Sequence, residues 1–180
     1  MLLDAGRSTL LIVDVQEYLA PVMAEPRLVY RHCAILMRAA ERLGIPVVVS
    51  EQYPKGLGHT VGELLGLAPE GAQVEKMHFS CAASPDVKAR VDALGRDTVV
   101  VAGIEAHVCV LQTCVGFREA GYKVAVVADA CSSRNPANHR AAMERLAHNG
   151  VEVVTTEMAV FEWMHCAGTP EFKDISKLIK

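Results

Sequence analysis

The chain has 180 residues, of which 51% are apolar and 22% are charged, and its formal net charge is -3 at pH 7. This length fits one globular domain with a sizeable core, which we expect to span residues 1–180. The negative charge argues against a nucleic-acid partner, because phosphate binding needs a basic face. The first residues lack the signal-peptide pattern and no apolar run reaches about 18 residues, so we expect a cytoplasmic protein with no membrane partner.

Short apolar runs alternate along the chain with segments of helical periodicity. Strands are predicted at residues 9–15, 46–50, 74–80, 97–103, 123–129 and 151–156. Helices are predicted at residues 28–43, 84–94, 107–120, 137–149 and 171–180, and residues 52–71 form the longest irregular segment. Valine-rich strands without polar alternation indicate a parallel sheet that is buried on both faces. The sequence therefore predicts an α/β protein, a three-layer α/β/α sandwich with six mostly parallel strands.

Three chemically active residues lie at the predicted strand ends, where open parallel sheets bind ligands. Asp14 ends the first strand, Lys76 lies in the third, and Cys109 lies in the first turn of the helix after the fourth. A thiol at a helix N-terminus is favoured as thiolate by the helix dipole, and Lys76 would add a positive charge. Other readings stay open, because Asp14 could cap a loop or helix and Lys76 could be a solvated surface residue.

The six cysteines give little information by number alone. They lie at positions 33, 81, 109, 114, 131 and 166, with no CxxC pair, and in a reducing compartment most should be free thiols. A free cysteine is usually a small buried apolar residue. Only Cys109 has a position that also suits a nucleophile activated by a neighbouring base.

Several segments, taken together and in order, resemble the isochorismatase-like cysteine hydrolases. They are LLIVDVQ at 10–16, EQYPKGLG at 51–58, KMHFSC at 76–81, GIEAHVCV at 103–110 and VVADACSSR at 126–134. The superfamily includes nicotinamidases and N-carbamoylsarcosine amidohydrolases, and the likeness is strongest to the branch of isochorismatase domain-containing proteins. The resemblance implies the strand order 3-2-1-4-5-6 and a homo-oligomer, for which a mean hydropathy of +0.22 also leaves apolar surface.

The resemblance also assigns roles to residues. It makes Asp14 the base, Lys76 its cationic partner and Cys109 the nucleophile of a hydrolase that cleaves a small amide or ureido C–N bond through a thioester. It places a cis peptide at Ile104-Glu105, and oxyanion-binding backbone N–H groups at Glu105 and Cys109. We take the polar and aromatic residues near the strand ends as substrate-pocket candidates, namely Gln16, Tyr18, Gln52, Tyr53 and His78.

The sequence departs from the nicotinamidase pattern at the metal site. Nicotinamidases bind a metal through one Asp and two His after the second strand, whereas residues 51–60 here contain only His59 and no aspartate. One histidine is not a site. We therefore expect neither a metal nor another cofactor, and a substrate other than nicotinamide; His78 and His107 fit cleft-lining or surface positions better than ligand positions.

Two other functional classes are compatible with these residues. The chain could be a non-catalytic scaffold with an unused pocket, or a thiol redox or sensor protein in which Cys81 or Cys114 resolves Cys109. A charged Asp-Lys pair beside a thiol argues against the scaffold. A dinucleotide-binding enzyme is disfavoured, because the first strand continues into DVQEYLAP rather than a glycine-rich turn.

Overall fold

Six strands form the centre of the protein in a computed structural model that describes residues 1–179. They are β1 (Ser8–Val13), β2 (Val47–Gln52), β3 (Gln73–Lys76), β4 (Thr98–Ile104), β5 (Lys123–Ser132) and β6 (Glu152–Val154). All neighbouring pairs are parallel, in the order β3-β2-β1-β4-β5-β6. The predicted fold and strand order are confirmed. The order reverses between β1 and β4, so the carboxyl ends of these strands flank the expected ligand site.

Eight helices connect and cover the strands within residues 1–179. They are α1 (Pro26–Leu43), α2 (Pro54–Leu57), α3 (Gly62–Leu65), α4 (Pro85–Ala93), α5 (Leu111–Glu119), α6 (Pro136–His148), α7 (Thr156–Met164) and α8 (Pro170–Ile179). Proline occupies the first position of α1, where its missing N–H costs nothing, and Gly44 ends that helix in a left-handed conformation. Local sequence signals therefore set the limits of the longest helix.

The sheet is buried on both faces, as its apolar strands require. In β1, Leu10 and Ile12 pack into one core with α1, α7 and α8, whereas Leu11 and Val13 pack into the other with α4, α5 and α6. Consecutive strand residues point to opposite faces, so a strand between two cores is apolar throughout. Among residues 1–179, no helix has the length and apolar character that a bilayer crossing requires.

Several predicted elements differ from the structure. The third strand ends at Lys76 rather than residue 80, and the fifth continues to Ser132 across a register shift. The segment at 52–71 contains α2 and α3. The last strand stops at Val154 because Thr155 accepts a hydrogen bond from the Met158 N–H and so caps α7, a helix that the sequence did not predict.

Candidate functional site

Asp14 directly follows β1 and is fully buried. Its φ of 53° is left-handed, a conformation that aspartate tolerates better than most residues. One carboxylate oxygen, Oδ1, accepts a hydrogen bond from Ser50 Oγ at 2.8 Å, and Oδ2 accepts one from Lys76 Nζ at 2.7 Å. These donors come from other strands, so Asp14 is neither a helix cap nor a solvated loop residue.

Lys76 is the last residue of β3 and its side chain is buried. Its ammonium donates to Asp14 Oδ2, to Gln52 Oε1 at 2.7 Å and to the Phe79 carbonyl at 3.2 Å. An ammonium has three N–H donors, and these three acceptors use all of them. The alternative of a solvated surface lysine is therefore wrong, and the charge of Lys76 is held against Asp14.

Cys109 lies in a π-helical turn, Ala106–Val110, that joins β4 to α5. The cysteine itself is only 5% exposed. The Asp14 carboxylate lies near enough to the Cys109 thiol for the two groups to shift each other's pKa. Gly103 allows the end of β4 to lie against the end of β1, because a Cβ there would collide with the backbone carbonyl of Val13. The Ile104-Glu105 peptide bond that precedes the turn is cis.

The ionisation of the site differs from the prediction at Cys109. Burial raises the pKa of the Cys109 thiol well above its usual range, the charge of Asp14 raises it further, and Lys76 only partly opposes these effects. Lys76 lowers this pKa as expected, but the expectation of a net lowering is wrong, because burial and Asp14 outweigh Lys76. Burial also raises the pKa of Asp14 despite Lys76, so the site pairs a neutral thiol with a carboxylate of increased proton affinity.

Two of the proposed pocket residues are instead committed to the protein itself. Gln16 donates to the carbonyls of Gln52 and Gly58, and its Oε1 accepts from the Gln52 N–H. The side chain of Gln52 accepts from Lys76 and donates to the Met77 carbonyl. Burial requires such pairing of their polar atoms inside the protein, and a contact of these glutamines with substrate stays a prediction.

The other three candidates are exposed. Tyr53 and His78 line a cavity of about 400 Å³ beside the end of β3, together with Met77 and Pro85. Tyr18 lies outside this lining and is 70% exposed. The cavity borders Lys76 but does not include Cys109 or Asp14, so Tyr53 and His78 lie near the site rather than in contact with its thiol.

The sequence did not assign a role to the residues that form hydrogen bonds with Asp14 or with its partner Ser50. Ser50 donates to Asp14 and accepts a hydrogen bond from Cys81 Sγ at 3.4 Å, while the Cys81 N–H donates to Thr113 Oγ1 at 2.9 Å. The only sequence signal was the strand-end position of Ser50. The Glu105 carboxylate accepts hydrogen bonds from the backbone N–H and Nε of Arg134.

The segment compared with a nicotinamidase metal site contains a different arrangement. Glu51 accepts hydrogen bonds from the backbone and hydroxyl of Thr60 and pairs with His59 Nδ1 at 3.0 Å. Within residues 1–179, no group of three or more His, Cys, Asp or Glu side chains could hold a metal ion. Glu51 and His59 tie the loop after β2 to the sheet. His107 Nδ1 forms a hydrogen bond with Ser133 Oγ at 3.0 Å.

Comparison with known proteins agrees with this geometry. Residues 8–158 match the isochorismatase domain family. The chain belongs to this family. The chain is 40% identical over 178 residues to the secreted isochorismatase effector Isc1 of Phytophthora sojae. This alignment covers 96% of the chain and 84% of the effector. It is 36% identical over 178 residues to isochorismatase domain-containing protein 2 of Bos taurus, covering 97% and 84% of the two chains.

A solved structure shares the same fold. The structure of MAR1 ribonuclease from Caenorhabditis elegans has a TM-score of 0.92 and 34% sequence identity, and the match covers 99% of this chain and 92% of the other. The predicted family resemblance is confirmed. Membership supports the general class of hydrolase, and leaves the bond and the substrate to be inferred from the site.

Proposed function

We propose that this protein hydrolyses a small amide or ureido C–N bond, with Cys109 as nucleophile and a thioester intermediate. The observation that carries the proposal is the buried meeting of Asp14, Lys76 and Cys109 from three separate segments. A nucleophile, a base beside it and a fixed counter-charge are the parts that covalent catalysis needs. Buried charges are costly, which argues against an idle scaffold.

In the first half-reaction, the Cys109 thiol passes its proton to Asp14 as the sulfur attacks the carbonyl carbon. The oxyanion accepts hydrogen bonds from the backbone N–H groups of Glu105 and Cys109, at the start of the helical turn. Asp14 then returns the proton to the leaving nitrogen and the C–N bond breaks. Ammonia or an amine departs, and the acyl group remains on Cys109.

In the second half-reaction, Asp14 takes a proton from water and the resulting hydroxide attacks the thioester. The C–S bond breaks, the acid product leaves, and Cys109 recovers its proton from Asp14. The increased proton affinity of Asp14 suits it to accept a proton in both halves. Lys76 stabilises the ionised carboxylate between these transfers. Apart from substrate and water, all the groups in this proposed cycle belong to the protein, so it calls for neither metal nor cofactor.

We also propose that the protein is a cytoplasmic homo-oligomer. Tyr18, Met77 and Phe79 are 70%, 68% and 55% exposed, and association with a second copy would cover such apolar surface. All six cysteines are free, which suits a reducing compartment. Nothing in the proposed chemistry calls for a nucleic acid or a membrane, and its partner is a small-molecule substrate.

A screen of small amides and ureido compounds with ammonia detection tests the proposal. We expect turnover with at least one compound, loss of turnover in Cys109→Ala, and normal turnover in Cys166→Ala, which removes the one exposed cysteine among residues 1–179. RNA is included because one relative is named a ribonuclease. RNA cleavage that requires Cys109, without release of ammonia or amine from any compound, would overturn the proposal.

A thiol redox function is the second candidate, because Cys81 contacts Ser50 and its pKa, like that of Cys109, responds to Asp14. In that case peroxide would oxidise Cys109 to a sulfenic acid, and the Cys81 thiol would displace water to form a disulfide. The two functions can be distinguished by comparing the rate of disulfide formation with the rate of amide hydrolysis. Disulfide formation faster than hydrolysis of every amide tested would favour the redox function.

A further inference from the structure

Ser50 connects the catalytic carboxylate to a second, buried thiol. Its side chain is fully buried in β2, and its Oγ donates to Asp14 Oδ1 at 2.8 Å while accepting from Cys81 Sγ at 3.4 Å. A hydroxyl can both donate and accept, and its hydrogen rotates to suit its partners. Ser50 can therefore reverse the direction of these two hydrogen bonds without moving its oxygen.

The two oxygens of Asp14 face unlike partners. Oδ2 faces the Lys76 ammonium at 2.7 Å, which can only donate, because it has no lone pair to accept a hydrogen bond. Oδ1 faces the Ser50 hydroxyl, which can also accept. A proton that arrives on Asp14 is therefore accommodated at Oδ1, provided that Ser50 turns its own hydrogen elsewhere. Cys81 Sγ is a weak acceptor and lies where the turned Ser50 hydroxyl can donate a hydrogen bond to it.

We propose that Ser50 is a positioning residue that switches with the catalytic proton. Its hydroxyl donates to Asp14 Oδ1 while the carboxylate is ionised, and turns to donate to Cys81 Sγ when Oδ1 receives the proton from Cys109. One proton moves from sulfur to oxygen, and Ser50 exchanges a donated bond for an accepted one with no net change of charge. This inference rests on the proposed function, since it gives Asp14 the role of base.

The surroundings of Asp14 fix the sign of the expected effects. Among residues 1–179, the titratable groups that face it are Lys76 at the end of β3, Cys81 in the turn after β3 and Cys109 in the turn after β4. The Ser50 hydrogen bond favours the ionised carboxylate, so its removal raises the pKa of Asp14. Removal of Cys81 should lower the pKa of Asp14, because the protonated carboxyl then lacks the acceptor to which Ser50 would donate.

The test is the pH dependence of Cys109 alkylation by iodoacetamide, followed by mass spectrometry of the peptide that contains Cys109. Alkylation needs no substrate and reports the shared ionisation of Cys109 and Asp14. We expect Ser50→Ala to move the acid limb of the profile upward by about one pH unit, as loss of one hydrogen bond to a charged group implies. Ser50→Thr, which keeps the hydroxyl, should return it toward the wild-type position, and Cys81→Ala should move it downward by a smaller amount.

A merely structural role for Ser50 would lower the amount of reactive protein without moving the limb. Coincident limbs in Ser50→Ala and the wild type overturn the proposal, as does a Cys81→Ala shift in the upward direction. If Ser50→Ala does not fold, the sign of the Cys81→Ala shift decides. Failure of the proposed function would be seen differently, as amide turnover that survives in Cys109→Ala. The alkylation profile is measured without substrate and is therefore independent of that turnover test.

Discussion

Replacement of Lys76 by methionine should reveal what it costs to bury the Asp14 charge. Both side chains are fully buried, and their ion pair has an Nζ–Oδ2 distance of 2.7 Å. Methionine keeps most of the lysine stem but leaves the carboxylate with Ser50 as its remaining hydroxyl donor. Loss of one partner from a buried pair typically costs about 3–5 kcal/mol, and we expect Lys76→Met to lower the free energy of unfolding by this amount near pH 7.5.

This loss should depend on pH in a definite direction. Burial already raises the pKa of Asp14 against the opposing charge of Lys76, so removal of the ammonium raises it further. A carboxyl with a folded-state pKa above its unfolded value binds more protons when folded. The variant is therefore most stable below the unfolded pKa of about 4, and loses about 1.4 kcal/mol per pH unit as pH rises toward the folded pKa.

Urea unfolding at pH 5 and pH 7.5 measures both effects. The control is the double variant Asp14→Asn/Lys76→Met, which has no buried charge at this position and should be more stable than Lys76→Met at pH 7.5. Between the two pH values, its stability should fall less than that of Lys76→Met, because it has no buried carboxyl to ionise. A Lys76→Met loss that is equal at both pH values, or a double variant that is no more stable than the single one, would refute the reasoning.

The other predictions concern the site and its support. Alkylation of Cys109 should abolish turnover, whereas Cys166→Ser should leave turnover intact, and activity that survives alkylation would exclude the thiol as nucleophile. Asp14→Asn should lower kcat by at least 10²–10⁴-fold, roughly the contribution of acid–base catalysis, with an unchanged circular dichroism spectrum. Extended treatment with EDTA should leave turnover unchanged; loss that zinc restores would contradict this. Gly103→Ala should destabilise the fold by about 3 kcal/mol or more, and Gly44→Ala, which also has a positive φ but an uncrowded position, by about 1 kcal/mol in urea unfolding.

The main features of the sheet could be predicted from short sequence windows. Valine-rich strands, glycine after a helix and proline at its start carry their structural preference locally, so five of the eight helices and the approximate positions of all six strands were predicted. The strand order came from the family resemblance. Residues 151–156 show where local preference fails. Threonine favours strands and helix caps alike, and only the hydrogen bond from Met158 to Thr155 decides for the cap.

The candidate site followed from strand ends, but its supporting residues did not. Asp14, Lys76 and Cys109 could be proposed because parallel strands bring their carboxyl ends to one edge. The roles of Ser50 and Gln52 depend on side-chain contacts across 36 and 24 positions of sequence, which no local pattern encodes. Gln52 fits a substrate contact equally well until the partner of its amide oxygen is known.

Sequence patterns and the family resemblance were enough to predict the fold class and the family, and to propose the three residues of the reaction. Tertiary structure alone decided how these residues are ionised. The sequence position of Cys109 near a helix start suggests a thiolate, yet burial and the neighbouring Asp14 raise its pKa and keep it protonated at rest. The physical reason is that a pKa reflects solvent exposure and the distances to charges on other segments, and both quantities exist only after the chain has folded.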